Sequence, residues 1–220
     1  ALASSAHAAT LVFDDFDGDI GTNLVGTTAD VGGTWEGASN ADMKADGSLI
    51  AGSERSAYQA VTIAVGEVYT LSADVTLNTG SGAFIAIGFA NSPGDGAGTI
   101  WDDADPYAWM YSNVEPHGVK TLTGNGLTGE SSKLANAVFD VSRNLKVVLD
   151  TTNSADYVAT WFLDDVQIDT RSIGAPSLTH VFINKHSGST SGTVDNFQLT
   201  TVPEPSSVAL LSLGGLVLLR

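Results

Sequence analysis

The sequence predicts an all-β fold, an antiparallel β-sandwich, and three observations predict it. Short segments through the body alternate apolar and polar side chains with a period of two. Gly, Ser, Thr, Asn and Asp are abundant while Lys, Glu and Leu are scarce in the body, which favours strands and turns over helices. Before residue 202 no segment carries a 3.6-residue period, and roughly a dozen strand-like segments recur at about the 8–16-residue spacing of sandwiches.

Taken in order, the first strand is Leu11-Val-Phe-Asp-Asp-Phe-Asp-Gly18. Glu67 to Leu77 alternates most cleanly: Tyr69, Leu71, Ala73, Val75 and Leu77 share one face, and Thr70, Ser72, Asp74 and Thr76 the other. Ala83-Phe-Ile-Ala-Ile-Gly-Phe89 is apolar on both faces, so it belongs at the centre of a sheet, with Gly88 marking a bulge or close packing. Leu145 to Asp150 and Tyr157 to Leu163 read as neighbours in one sheet. Asp164-Asp165 is a two-residue connection into Val166–Thr170, a hairpin. Thr179–Asn184 and Thr193–Thr200 complete the set. No repeat and no long linker divides the body, so residues 9–201 form one β domain, between a residual signal-peptide end (1–8) and a distinct tail (202–220).

Composition narrows the function. The chain has no cysteine, and 25 acidic residues against 9 basic ones give a formal charge of −16. Without disulfides it relies on its core, its hydrogen bonds and a bound metal if there is one. Phosphate contacts need clustered Lys and Arg, so nucleic acid is not an expected partner. Such a charge suits solubility outside a cell and attracts divalent cations.

Both ends point outward from the cell. Ala6-His7-Ala8 lies among small residues at the spacing of a signal-peptidase site. At the other end, Val202-Pro-Glu-Pro205 precedes an uncharged run, Ser206 to Leu219, and a final Arg220. The prolines flanking Glu204 force an extended segment that a protease cleft can hold. The run reads as a short apolar helix of about 21 Å, less than a bilayer core needs; a buried strand or helix is the alternative. This tail resembles the PEP-CTERM sorting signal of Gram-negative bacteria. The resemblance implies sorting at Pro203, Glu204 and Pro205 by an exosortase-type membrane protease after transient anchoring in the inner membrane. It also implies secretion or display at the cell surface and association with exopolysaccharide or biofilm matrix.

The body carries a second resemblance. The two terminal strands, Gly32-Gly-Thr-Trp35 and the Trp161–Asp165 hairpin together resemble concanavalin A-like jelly-roll domains, the group of laminin-G and carbohydrate-binding modules. That implies a sandwich whose terminal strands pair. Glycanases of this fold alternate Glu and Asp along one strand, and retaining chemistry needs two carboxyls about 5–5.5 Å apart. Here Glu36, Glu54, Glu67, Glu115, Glu130 and Glu204 are far apart in the chain, and no E-x-D-x-E occurs. His117 and His180 read as structural, and no G-x-S-x-G or paired His motif is present, so no enzyme is expected.

Two candidate sites remain. Asp14, Asp15, Asp17 and Asp19 crowd the first strand and its turn, and Asp195-Asn196 lies in the last. If those strands are neighbours, Asp15, Asp17 and Asp195 converge on a structural calcium; a solvated acidic turn is the alternative. The second is Trp101-Asp-Asp-Ala-Asp-Pro-Tyr-Ala-Trp-Met-Tyr111. In a strand Tyr107, Trp109 and Tyr111 share a face, either the core face or, with Trp101, a sugar-binding platform. The expected function is a non-enzymatic surface or matrix protein, structural or adhesive, that can self-associate. A lectin-like glycan-binding module is the alternative, and a polysaccharide hydrolase with an Asp-based site a third.

Overall fold

The computed structural model describes residues 8–37, 42–79, 84–94, 100, 106–113, 118–124, 140–186 and 190–203. Among them are twelve strands in two antiparallel sheets. One sheet runs β1 (Ala9–Asp14), β12 (Ser191–Pro203), β4 (Glu67–Thr79), β8 (Ser142–Asp150), β9 (Val158–Leu163) and β10 (Val166–Ser172), with β2 (Ser48–Leu49) also paired to β12. The other runs β3 (Arg55–Ala60), β11 (His180–His186), β5 (Phe84–Ala90), β6 (Pro106–Asn113) and β7 (Val119–Leu122).

The alternating faces read from the sequence set this layout. Tyr69, Leu71, Ala73, Val75 and Leu77 of β4 all point into the core between the sheets. Leu145, Val147 and Leu149 of β8 join them, as do Ala159, Trp161 and Leu163 of β9. Ile85, Ile87 and Phe89 of β5 meet them from the opposing sheet. Trp161 crosses that layer, its Nε1–H donating to the carbonyl of Trp109 at 3.1 Å. β5 is buried along its whole length and lies at the centre of its sheet, as its doubly apolar pattern requires. Asp164 and Asp165 form the β9–β10 hairpin with φ of 49° and 65°, the left-handed pair that a tight right-twisting hairpin needs.

The terminal strands pair, Phe13 facing Gln198 and Asp14 facing Phe197. The first strand is shorter than Leu11–Gly18. It ends at Asp14, because Phe16 takes φ 55° and turns the chain out of the sheet. At the opposite edge the sheets are clipped together: Thr121 of β7 donates to Asp169 of β10, and Arg171 reaches both Asp169 (2.6 Å) and Thr121 (3.1 Å).

Candidate functional site

The turn after β1 builds an acidic pocket. Asp14 closes the strand with its carboxylate directed inward, where Oδ2 accepts from Trp35 Nε1–H at 2.6 Å and Oδ1 from Phe16 N–H at 2.8 Å. Trp35 is held in turn by Phe16 and Phe197, with ring centroids 6.1 and 5.2 Å away. Burial pushes the Asp14 carboxyl above its usual range, although the bonds from Trp35 and Phe16 oppose it. Because Phe16 turns the chain, Asp15 and Asp17 project outward. The Asp15 N–H donates to Asp30 Oδ2 at 3.1 Å, and the Asp17 N–H to Asp15 Oδ1 at 3.2 Å. Oxygens of Asp15, Asp17 and Asp30 all lie within 4.8 Å of one another. A cavity of about 200 Å³ opens beside them, lined by Asp14, Asp17, Asp19, Asp30, Thr22, Thr27 and Thr28 among others. Desolvation, and then the charges of Asp17 and Asp30, hold the Asp15 carboxyl above its ordinary range. Three converging carboxylates with no cation among the lining side chains are a donor set that a hard divalent ion fits.

Asp15 and Asp17 therefore come together, but Asp195 does not join them. It sits opposite Asp74 in the β12–β4 ladder, beside a bulge where Asn196 takes φ 50°, and its Oδ1 accepts from Asn196 N–H at 2.7 Å. Asp30 stands in its place. No periodic signal marks Asp30; it arrives through an irregular stretch pinned by the Phe13–Val31 and Thr28–Thr34 bridges.

The aromatic stripe also differs from its expected geometry. Tyr107 faces Phe89 across the β5–β6 ladder, and Ile87 faces Met110. Two residues, Ala108 and Trp109, are thus accommodated opposite Gly88 alone, and Ala108 takes φ 43°. This bulge reverses the alternation. Tyr107, half-buried, packs against the inter-sheet core, whereas Trp109 and Tyr111 lie on the outer face of their sheet in a second cluster with Phe84, Phe182 and Tyr58. The three rings do not share a face. Trp109 is 0% and Tyr111 3% exposed, so neither presents an open platform. Burial pushes the Tyr111 hydroxyl up to about 12. Trp109 Nε1–H donates to the Gly124 carbonyl at 3.2 Å. Trp101 and the aspartates beside it lie outside the described residues, as do His117, Glu204 and Pro205. Pro203 ends β12, paired with Glu67.

The histidines of β11 have structural partners. His180 meets Tyr58 edge-on and contacts Thr179 Oγ1 at 2.8 Å, and burial lowers its pKa. His186 stacks on Phe84 at 4.4 Å and lies 2.6 Å from Glu54. Glu67 accepts from Tyr69 and Thr201, and Glu36 is exposed.

No family model and no characterised protein matches this sequence. Solved structures do match in fold. The potassium-bound Emp46p carbohydrate recognition domain aligns with a TM-score of 0.51 at 12% identity, covering 76% of this chain and 87% of that one. The CBM2 module of the evolved Dit protein of Lactobacillus casei BL23 phage J-1 gives 0.51 at 9% identity, covering 91% and 98%. An alginate lyase, Aly36B, gives 0.47 at 13% identity, covering 76% and 87%. The chain has the antiparallel jelly-roll sandwich fold of carbohydrate-recognition and carbohydrate-binding domains.

Proposed function

We propose that this protein is an exported, non-catalytic, lectin-like module that binds glycan at a cell surface or in an extracellular matrix. The observation that carries the reading is the fold shared, over 76% and 91% of this chain, with a carbohydrate recognition domain and a carbohydrate-binding module. The carboxylates support binding over bond cleavage: Glu54 and Glu67 are engaged with His186 and with Tyr69 and Thr201, and Asp164 is paired with Arg143. The formal charge of −16 repels polyanionic glycans, so the partner is uncharged or reached through a cation. Asp15, Asp17 and Asp30 hold that cation, calcium, where it braces the turn between β1 and Trp35. The Val202–Arg220 tail supports passage through an exosortase-type protease on the way to exopolysaccharide.

A glycan array probed with the full chain, with and without calcium, tests the binding role. Retention of one or more glycans is the expected result. Uniformly blank arrays in both conditions, or chain cleavage of a bound polysaccharide, overturn it. Replacing Pro203, Glu204 and Pro205 by alanine tests the sorting role; release from the host cell with an unchanged mature mass removes it.

A further inference from the structure

We propose that the outer face of the seven-stranded sheet is the contact surface for a single extended, uncharged polysaccharide chain. This deepens the glycan-binding reading and rests on it.

The strand order, which does not follow the sequence, assembles a row of hydroxyls across that face. Thr10 pairs with Thr200, Thr200 with Thr70, Thr70 with Val148, Val148 with Thr160 and Thr160 with Thr170. Five of the six positions are threonine. The Thr160 and Thr170 hydroxyls lie 3.0 Å apart, which places both side chains on one face. Beside this row runs another: Val202, Val68, Asp150, Val158 and Ser172. Val202 and Val158 are 42% and 38% exposed. Together the rows offer methyl groups for the C–H faces of sugars and hydroxyls that both donate and accept.

Charge, area and shape select the occupant. Asp150 is the one charge in the two rows, and its Oδ1 is taken by Thr152 N–H (2.9 Å) and the Thr152 hydroxyl (2.6 Å). Next to the rows, Lys146 is paired with Asp165. Ser172 of the second row also bonds Asp156, and Asp74, held by Asn144 and Asn196, faces Asp195 further along the sheet. With no unpaired cation beside these carboxylates among the described residues, the rows repel a polyanion and match an uncharged partner. Five strand spacings give a row about 24 Å long, and two rows cover roughly 400 Å². That is about half of what each partner buries in a stable protein interface, so a second copy is a poor fit. Five spacings of twist accumulate roughly 100°, which a planar crystal surface does not follow and one flexible polymer does. The other sheet offers no equivalent, because its outer aromatic face is buried.

The test is affinity electrophoresis of the full chain in hydroxyethylcellulose, xyloglucan, dextran and alginate. At least one uncharged polymer should retard the protein, and alginate should not. Thr70→Val/Thr160→Val/Thr200→Val, which removes hydroxyls and keeps shape and strand preference, should weaken retardation about tenfold or more at an unchanged melting temperature. Thr170→Glu, at the exposed sheet edge, should do the same independently. Unaltered retardation of both row variants overturns this inference and leaves the glycan-binding reading standing, and so does retardation by alginate alone. Sedimentation as a dimer that Thr170→Glu dissolves also overturns it, in favour of a second copy. A wild-type chain retarded by no polymer overturns both.

Discussion

Trp109→Ala separates the two readings of the aromatic stripe, because a platform residue loses binding while a packed one loses stability. Trp109 is fully buried, with Tyr111 and Phe182 at centroid distances of 5.7 and 6.4 Å and a hydrogen bond to the Gly124 carbonyl. Truncating a core tryptophan costs about 3–5 kcal/mol. Two features push this site to the upper half of that range. The hydrogen bond adds about 1 kcal/mol. Gly88, directly opposite, has no side chain that can relax into the cavity. Across a domain of this size about 4–5 kcal/mol lowers the melting temperature by roughly 8–20 °C. Urea denaturation followed by tryptophan fluorescence measures the free energy directly. Trp109→Phe keeps a ring in place and should cost only about 1–2 kcal/mol. A Trp109→Ala protein destabilised by less than about 1.5 kcal/mol, or one that stays folded and loses glycan, refutes the packing argument.

The remaining predictions concern close packing, the buried amine, the cation and pH. A Cβ added at Gly88 would sit 2.8 Å from Trp109 Cα and closer still to its Cβ, so Gly88→Ala should cost about 3 kcal/mol in urea titration; a neutral result means β6 can shift. Lys185 is fully enclosed, its Nζ has no hydrogen-bond partner among the described residues, and desolvation lowers its pKa, so Lys185→Met should raise the melting temperature rather than lower it. Calcium at 100 times its dissociation constant should stabilise the wild type by about 2.7 kcal/mol and leave Asp17→Asn/Asp30→Asn unmoved; a flat wild-type titration identifies a solvated acidic turn. Asp14 binds its proton more tightly folded than unfolded. Stability should therefore decline as pH rises from the ordinary value of 3.8 through the raised folded value, then level off. Asp14→Asn should flatten that decline, and an unchanged slope in the variant assigns it elsewhere.

The legible parts of the fold were those decided within one strand or one turn. β4 alternates because one of its faces meets the core, and β5 loses alternation because both faces are covered. The Asp164-Asp165 turn is local as well, a two-residue link that only left-handed geometry closes tightly. The site was harder to read because it depends on places where periodicity stops. A single extra residue at Ala108 moves Tyr107 to the face opposite Trp109, and the cause lies in another strand, at Gly88. Asp30 meets Asp15 through a segment held by isolated bridges, where neither a period of two nor one of 3.6 applies. The threonine row is hidden for a third reason. Thr10, Thr200, Thr70 and Thr160 come from strands remote in sequence, and each is only one polar position in an ordinary alternating strand until the strand order is known.

That order also explains why the two outer faces diverge. The five-stranded sheet carries large apolar side chains on both faces, so it needs cover on its outer side as well as its inner one, and Ile100 packs there with Trp109 and Phe182. The seven-stranded sheet places Leu71, Val147 and Trp161 inward and the partly exposed Thr70, Val148 and Thr160 outward, so among the described residues its outer face is polar enough for water to satisfy. In a chain without disulfides, stability must come from the layers that exclude water, and two of the three layer boundaries here do so. The aromatic face contributes to that stability by being closed. On the proposed reading, a polysaccharide chain therefore meets the third boundary, the threonine-bearing outer face of the seven-stranded sheet. The acidic pocket, at the end of β1, is too small to bury more than a sugar unit or an ion.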